Sequence, residues 1–169
     1  MRRNLGQAYH FQKTDNMTKP NKKIIATLVI VEDTTKNSLL MIKHNRGVNQ
    51  GYYNFPGGKL DAGETPEQGA VREVKEETGI DATRLKNIGL LDFPTMNFEV
   101  HVFYSDEFQG ALIENAEEVN VFWQDKNHVP ISEMRDADKI WVPEALSGQD
   151  VNYRFFYDKK FNVEKVERL

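Results

Sequence analysis

The chain has 169 residues, of which 39% are hydrophobic and 28% are charged, and it contains no cysteine. This length and composition are typical of one globular domain that folds without disulfides or a structural metal. The absence of cysteine excludes a thiol nucleophile, a cysteine-ligated zinc site and an iron–sulfur cluster. The longest mostly apolar run, residues 24–31, is far too short to span a membrane, and no apolar stretch follows Arg2 and Arg3 as it would in a secretory signal. We therefore expect a cytoplasmic protein.

Charge is distributed unevenly along the chain. Residues 1–23 contain six lysines and arginines against one acid, Asp15, so they carry +5 of a total charge of −4, and the remainder carries −9. An acidic body repels phosphate backbones, so we expect no binding to bulk nucleic acid. Residues 1–21 are polar and lack an apolar period, which predicts a flexible basic arm. Residues 22–169 are predicted to form a single domain.

The first part of the domain predicts two strands and a loop. Residues 23–32 are rich in isoleucine, valine and leucine, which indicates a buried strand, and residues 39–43 are its expected hairpin partner. Residues 45–63 contain many glycines and prolines, which favours a loop.

A helix is predicted over Pro66–Thr78. Thr65 is a favourable N-cap, and Gln68 three residues later completes a capping box. Pro66 suits the first helical position, and Gly79 is expected to end the helix. The face that packs on the sheet is predicted to consist of Ala70, Val71 and Val74.

The remaining elements are mostly strands. Strands are predicted at 87–93, 98–105 and 118–124, a helix at 139–146, and a C-terminal hairpin from 153–157 and 161–166. Strands on both sides of an internal helix predict an α/β (α+β) fold, in which a mixed sheet has helices packed on its faces.

Three carboxylates share one side of the predicted helix. Glu73, Glu76 and Glu77 stand at i, i+3 and i+4, a spacing that places them together and makes them repel one another. A hard divalent cation such as Mg²⁺ or Mn²⁺ is the natural counterion for such a group. From the residues alone, an exposed acidic helix without a metal stays the alternative.

The residues around these carboxylates complete a longer signature. Seven fixed positions follow the pattern Gly-x5-Glu-x7-Arg-Glu-U-x-Glu-Glu-x-Gly-U, where U is apolar; they are Gly58, Glu64, Arg72, Glu73, Glu76, Glu77 and Gly79. Val74 and Ile80 fill the apolar positions. Seven fixed residues match by chance roughly once in 10⁸ starting positions. The segment resembles the signature of the Nudix hydrolases.

The resemblance implies a Nudix-type α/β/α sandwich with a loop–helix–loop metal site. It implies these ligands for Mg²⁺, or alternatively Mn²⁺: Glu73, Glu76, Glu77, Glu118 and a backbone carbonyl of Gly57 or Gly58. For Glu118 an ordinary surface acid is the alternative reading. The implied catalytic group is Glu73, Glu76, Arg72 and Glu64, with Arg72 and Glu64 mainly orienting the site. Glu73 is the first choice as general base, and a carboxylate outside the helix is the rival.

Outside the signature, residues 39 to about 157 are similar to MutT-type Nudix hydrolases that act on 8-oxo-dGTP. The substrate-binding residues that this likeness implies are Asn54, Gly57, Lys59, Phe93 and Asp138, with Phe98 as the alternative to Phe93 in the wall of the base pocket. The amide of Asn54 and the carboxyl of Asp138 would meet the edge of the base. Two positions depart from the pattern, because Arg135 replaces a base-stacking aromatic and Ala137 replaces an aspartate. Selectivity for oxidised purines therefore does not follow from the likeness.

The implied reaction is Mg²⁺-dependent hydrolysis of a nucleoside diphosphate linked to another group. The first hypothesis is an ordinary or oxidised purine nucleoside triphosphate, cleaved to the monophosphate and pyrophosphate. The alternatives are ADP-ribose, a nucleotide sugar or a dinucleoside polyphosphate as substrate, and a non-catalytic nucleotide- or RNA-binding module. The expected partner is a small nucleotide, with no membrane partner, and both a monomer and a homodimer stay open.

Overall fold

The computed structural model describes residues 22–113 and 118–169, so the predicted arm at 1–21 lies outside the described residues. Within these two stretches the chain forms the strands β1 (Ile24–Asp33), β2 (Ser38–His44), β3 (Tyr53–Asn54), β4 (Ile80–Thr83), β5 (Lys86–Phe93), β6 (Phe98–Ser105), β7 (Glu107–Gly110), β8 (Val119–Asp125), β9 (Val151–Tyr157) and β10 (Val163–Arg168). The α-helices are α1 (Pro66–Thr78) and α2 (Asp138–Leu146). None of the helices in this described part is long and apolar enough to cross a membrane.

A mixed sheet of eight strands forms the centre of the fold. Its order is β10-β9-β5-β6-β1-β2-β3, and β8 pairs with β2. The pairs β1–β6 and β5–β9 are parallel, and the other neighbours in the sheet are antiparallel. The predicted hairpin of β1 and β2 is confirmed only beside its turn, where Glu32 pairs with Leu39 and Asp33 with Ser38. Beyond that point β1 pairs with β6, and β2 pairs with β8.

Each face of the sheet has its own hydrophobic core, because side chains alternate across a strand. Leu28 and Ile30 of β1 lie in one core with Trp141 of α2. Val29 lies in the other core with Val74 of α1. The two helices therefore pack on opposite faces, and the predicted sandwich is confirmed.

The ends of α1 are those that the sequence predicts. Thr65 Oγ1 accepts a hydrogen bond from the Gln68 amide (3.2 Å), and Gln68 Oε1 accepts one from the Thr65 amide (2.9 Å). Gly79 ends the helix at φ 82°, and its amide donates to the Lys75 carbonyl (3.0 Å). The expected apolar face is wrong at one position, because Val71 is exposed while Ala70 and Val74 are buried.

Three short strands were not predicted. β3 interrupts the predicted loop, where Ile42 pairs with Asn54 and Lys43 with Tyr53. β4 and β7 pair with each other in a separate sheet that continues from the C-terminal end of α1. Strands of two to four residues are too short to show a period, so their formation depends on the partner strand.

Candidate active site

The loop before α1 lies directly against β1. The Val29 amide donates to the Pro56 carbonyl (2.9 Å), and the Thr27 amide donates to the Gly58 carbonyl (2.8 Å). A Cβ at Gly57 would lie 2.0 Å from the Thr27 carbonyl oxygen, and one at Gly58 would lie 2.5 Å from the carboxyl carbon of Glu73. The clash at position 57 is with backbone, so only glycine fits there, whereas a Cβ at position 58 would displace the Glu73 carboxylate. The two glycines therefore bring loop backbone into contact with the carboxylates of α1.

Arg72 connects three carboxylates of the site, those of Glu64, Glu73 and Glu76. Its Nε and Nη2 donate to the two carboxylate oxygens of Glu64 (2.7 and 2.8 Å), and its Nη1 donates to Glu73 (2.7 Å) and Glu76 (3.1 Å). Nη2 also donates to the Lys59 carbonyl (3.1 Å). The hydrogen bonds from Arg72 lower the pKa of Glu64 to about 2, and Glu64 in turn raises the pKa of Arg72. Arg72 is thus a built-in counterion for these acids, a role that we did not predict.

Two of the three helix carboxylates are buried under the glycine loop. Glu73 and Glu77 are each only 7% exposed, whereas Glu76 faces solvent. The Gly57 amide donates to Glu77 Oε2 (3.0 Å). Burial raises the pKa of Glu77 to about 8, and the nearby charges of Glu73 and Glu118 act in the same direction. Burial also raises the pKa of Glu73, which Arg72 opposes. Buried, mutually repelling carboxylates of this kind favour a cationic ligand.

Glu118 reaches the same site from the residue before β8. Its charge acts on Glu77, although the two residues are distant in sequence. One oxygen of Glu118 pairs with Arg46, and the other, Oε2, is buried without a hydrogen-bond partner. Sequence reasoning did not find Arg46, because a single arginine in a loop carries no local pattern.

Arginine side chains contact several of the carboxylate oxygens that could bind a metal ion. Across residues 22–113 and 118–169, no group of three or more Asp, Glu or His side chains is arranged to hold a metal ion. Arg72 contacts oxygens of Glu73 and Glu76, and Arg46 contacts one oxygen of Glu118. The donor set nevertheless fits a hard divalent cation, since it consists of carboxylate oxygens, one of them the buried unpartnered Oε2 of Glu118.

Asn54 of β3 and Asp138, the first residue of α2, are both buried. Asn54 Oδ1 accepts a hydrogen bond from the Phe55 amide (2.8 Å), and Asp138 Oδ1 accepts one from Trp141 Nε1 (2.9 Å). The rings of Phe55 and Trp141 pack together with centroids 6.2 Å apart, which links the two residues through the core. Asp138 Oδ2 is buried without a hydrogen-bond partner. Burial raises the pKa of Asp138 to about 6.

The other two residues assigned to the substrate occupy different environments. Phe93 is 2% exposed and stacks on Phe155 with ring centroids 5.5 Å apart, so it belongs to the core on the α2 side. Lys59 is half-buried beside Arg72, which its carbonyl contacts. In the described residues, neither the Phe93 ring nor the Lys59 side chain forms a hydrogen bond with Asn54 or Asp138.

Comparison with known proteins identifies the family. Residues 22–145 match the model of the NUDIX domain, so the chain belongs to the Nudix family. The chain is 37% identical over 126 residues to the oxidized purine nucleoside triphosphate hydrolase of Danio rerio, covering 72% of this chain and 79% of that protein. It is 34% identical over 124 residues to the protein of the same name from Mus musculus, covering 71% and 78%.

Solved structures agree with this assignment. The MutT protein of Bacillus halodurans superposes with a TM-score of 0.71 at 24% identity, covering 85% of this chain and 96% of that one. At that identity the likeness shows the shared fold. Together with the family match, the complete signature over residues 58–80 makes this chain a Nudix hydrolase, an enzyme that acts on phosphoric anhydrides.

Proposed function

We propose that this enzyme hydrolyses purine nucleoside triphosphates, oxidised purines in particular, to the monophosphate and pyrophosphate, with Mg²⁺ as its cofactor. One observation carries the proposal: a full set of carboxylates on α1 occurs in the same domain as the buried polar pair Asn54 and Asp138. The names of the relatives from Danio rerio and Mus musculus support an oxidised purine triphosphate as substrate. The domain proposed to carry this activity spans residues 22–169.

The acids of α1 are proposed to hold the divalent cation. Glu73, Glu76 and Glu77 would bind it, together with Glu118 and a backbone carbonyl of Gly57 or Gly58. Both glycines lie against these acids, because the Gly57 amide donates to Glu77 and Gly58 lies against the Glu73 carboxylate. These residues would hold Mg²⁺, or alternatively Mn²⁺, which when bound would neutralise phosphate charge and lower the pKa of a bound water. Arg72, itself oriented by Glu64, would hold Glu73 and Glu76 in place.

Glu73 is proposed as the general base that removes the proton of the attacking water. Its burial raises the pKa of its carboxyl, and a higher pKa makes a carboxylate a better proton acceptor near neutral pH. Arg72 holds Glu73 Oε1, so the side chain has a fixed orientation against Gly58. Glu118 is the rival outside the helix, because its Oε2 has no hydrogen-bond partner.

Asn54 and Asp138 are proposed to bind the base edge. With a pKa raised to about 6, Asp138 exchanges its proton close to neutral pH, so it can accept or donate a hydrogen bond to a purine. Lys59 would attract phosphate oxygens, and Phe93 would support the base pocket from within the core. A cytoplasmic location stays a prediction from the sequence, which leaves both a monomer and a homodimer open.

A substrate panel tests the proposal. The enzyme is incubated with Mg²⁺ and, separately, 8-oxo-dGTP, dGTP, dATP, ADP-ribose, UDP-glucose or a diadenosine polyphosphate, and the products are separated by chromatography. We expect an oxidised purine triphosphate to lead in kcat/KM by about tenfold, or about 1.4 kcal/mol, with release of pyrophosphate. A lead by ADP-ribose or a nucleotide sugar would refute the proposed base contacts. Tight binding without turnover would indicate a non-catalytic module.

A further inference from the structure

Arg135, in the segment before α2, contacts the loop between β2 and β3, which consists of residues 45–52. Its Nε and Nη2 both donate to Asn49 Oδ1 (3.1 and 2.9 Å), and Nη2 also donates to the Val48 carbonyl. The guanidinium lies 4.0 Å from the centre of the Tyr52 ring. Asn49 is buried and Arg135 is half-buried, whereas Val48 and Tyr52 are exposed, so the contact lies where the core meets the surface. All these interactions reach the same loop, and we call them the Arg135 clamp.

The clamp joins the two elements that carry the proposed base contacts. The loop leads directly into β3, which contains Asn54, and Arg135 stands three residues before Asp138. The positive charge of Arg135 acts on Asp138, and it also acts on His44 at the end of β2. Two buried polar atoms near the clamp, Asp138 Oδ2 and His44 Nε2, have no hydrogen-bond partner. Such atoms are usually satisfied by a ligand or water.

The geometry of the clamp requires arginine. A guanidinium is planar, so it can stack on the Tyr52 ring while two of its nitrogens contact Asn49. A lysine would supply the charge but only a single nitrogen. The loop therefore holds the guanidinium of Arg135 in a fixed orientation.

We propose that Arg135 is a positioning residue that sets the distance between Asn54 and Asp138, and with it the affinity and choice of base. This inference rests on the proposed function, because it assigns the base to these two residues. Arg135 leaves the phosphate chemistry at α1 untouched, since its contacts all lie on the β2–β3 loop and beside α2. Its loss therefore weakens binding and discrimination while the catalytic step continues.

Kinetics of clamp variants test the proposal. For Arg135→Ala and Asn49→Ala we expect KM for the preferred triphosphate to rise about tenfold, with kcat within about twofold of the wild type. Arg135→Lys should behave like Arg135→Ala, because lysine keeps the positive charge but lacks the two guanidinium nitrogens that contact Asn49. The double variant should lose no more than Arg135→Ala, because Arg135→Ala already removes every contact that Asn49→Ala removes. Lys139→Ala, an exposed position on α2, is the matched control and should match the wild type.

Three outcomes would overturn the clamp. An unchanged KM in Arg135→Ala, a wild-type Arg135→Lys enzyme, or a loss confined to kcat would each contradict a role in positioning the base. The last result would assign Arg135 to the phosphate chemistry.

Hydrogen exchange provides a readout that does not need activity. In Arg135→Ala and Asn49→Ala the amides of residues 45–52 should exchange faster than in the wild type, while those of α1 stay unchanged. If the wild type hydrolyses no triphosphate, the proposed function fails and exchange still decides whether the clamp exists. If triphosphates are hydrolysed and exchange in the loop is unaffected, the clamp is wrong and the proposed function stands.

Discussion

Two parallel hydrogen bonds join Arg72 to Glu64, from Nε to Oε1 (2.7 Å) and from Nη2 to Oε2 (2.8 Å). Glu64 also accepts the Asp61 amide (2.7 Å), so the loop that enters α1 is tied to the middle of the helix. The remaining nitrogen of Arg72 contacts Glu73 and Glu76. Glu64 thus orients the arginine that orients the two acids.

Glu64→Gln should impair catalysis without unfolding the enzyme. The substitution removes the charge that holds Arg72, so Glu73 loses its fixed orientation. We expect kcat to fall by about 10- to 100-fold, as for other residues that support metal ligands, with KM within about twofold of the wild type. Initial rates of pyrophosphate release measure the effect. Glu67→Gln changes an exposed acid of the same helix and should leave the rate unchanged. Equal rates for the two variants would contradict the orienting role of Glu64.

Gly58→Ala should displace Glu73. The new Cβ would lie between 2.5 and 2.7 Å from the carboxylate atoms of Glu73, so that side chain must move. We expect Mg²⁺ affinity, measured by calorimetric titration, to fall by at least about tenfold. Gly63→Ala is the control, because its Cβ meets open space and the variant suffers only the backbone strain of φ +87°, about 1–2 kcal/mol. A Gly58→Ala enzyme that binds Mg²⁺ as the wild type does would contradict the close contact.

The buried Asp138 should make stability depend on pH. Its pKa is raised from 3.8 to about 6 in the folded enzyme, so the folded state binds the proton more tightly than the unfolded state. The stability that this proton confers is complete below about pH 4 and is lost as the pH rises through about 6. Relative to Asp138→Asn, which does not titrate, the wild type should therefore lose free energy of unfolding between pH 4 and pH 6.

Urea unfolding at pH 4, 5, 6 and 7 measures that difference. Asp136→Asn is the matched control, because Asp136 is exposed two residues earlier and should show no such trend. A constant difference between the wild type and Asp138→Asn across this range would mean that Asp138 keeps an ordinary pKa.

Local signals explain why α1 could be predicted to the residue. Thr65 and Gln68 form the capping box, and Gly79 adopts the left-handed conformation that ends the helix. Each of these signals lies within a few consecutive residues at one end of the helix. The strands β3, β4 and β7 have no comparable signal, since each is only two to four residues long and exists because another strand pairs with it.

The site was predictable in its residue types and less so in its geometry. Helical spacing groups Glu73, Glu76 and Glu77, but it does not reveal which of them the glycine loop covers. The counterion role of Arg72 was readable from the sequence, because Arg72 and Glu76 stand at i and i+4. From the sequence we instead assign the whole offsetting charge to a metal. The contact between Arg46 and Glu118 joins distant loops, so only the fold reveals it.

Hydrolysis by Glu77→Gln provides the most direct test of the carboxylate site on α1. A glutamine oxygen can still accept the Gly57 amide, so the substitution keeps that hydrogen bond and removes the carboxylate that would hold the cation. Pyrophosphate release from 8-oxo-dGTP in Mg²⁺ is compared for the wild type, Glu77→Gln and the exposed control Glu67→Gln. We expect Glu77→Gln to be slower by at least about 100-fold and Glu67→Gln to equal the wild type. A fully active Glu77→Gln enzyme would contradict the assignment of metal binding and catalysis to this helix.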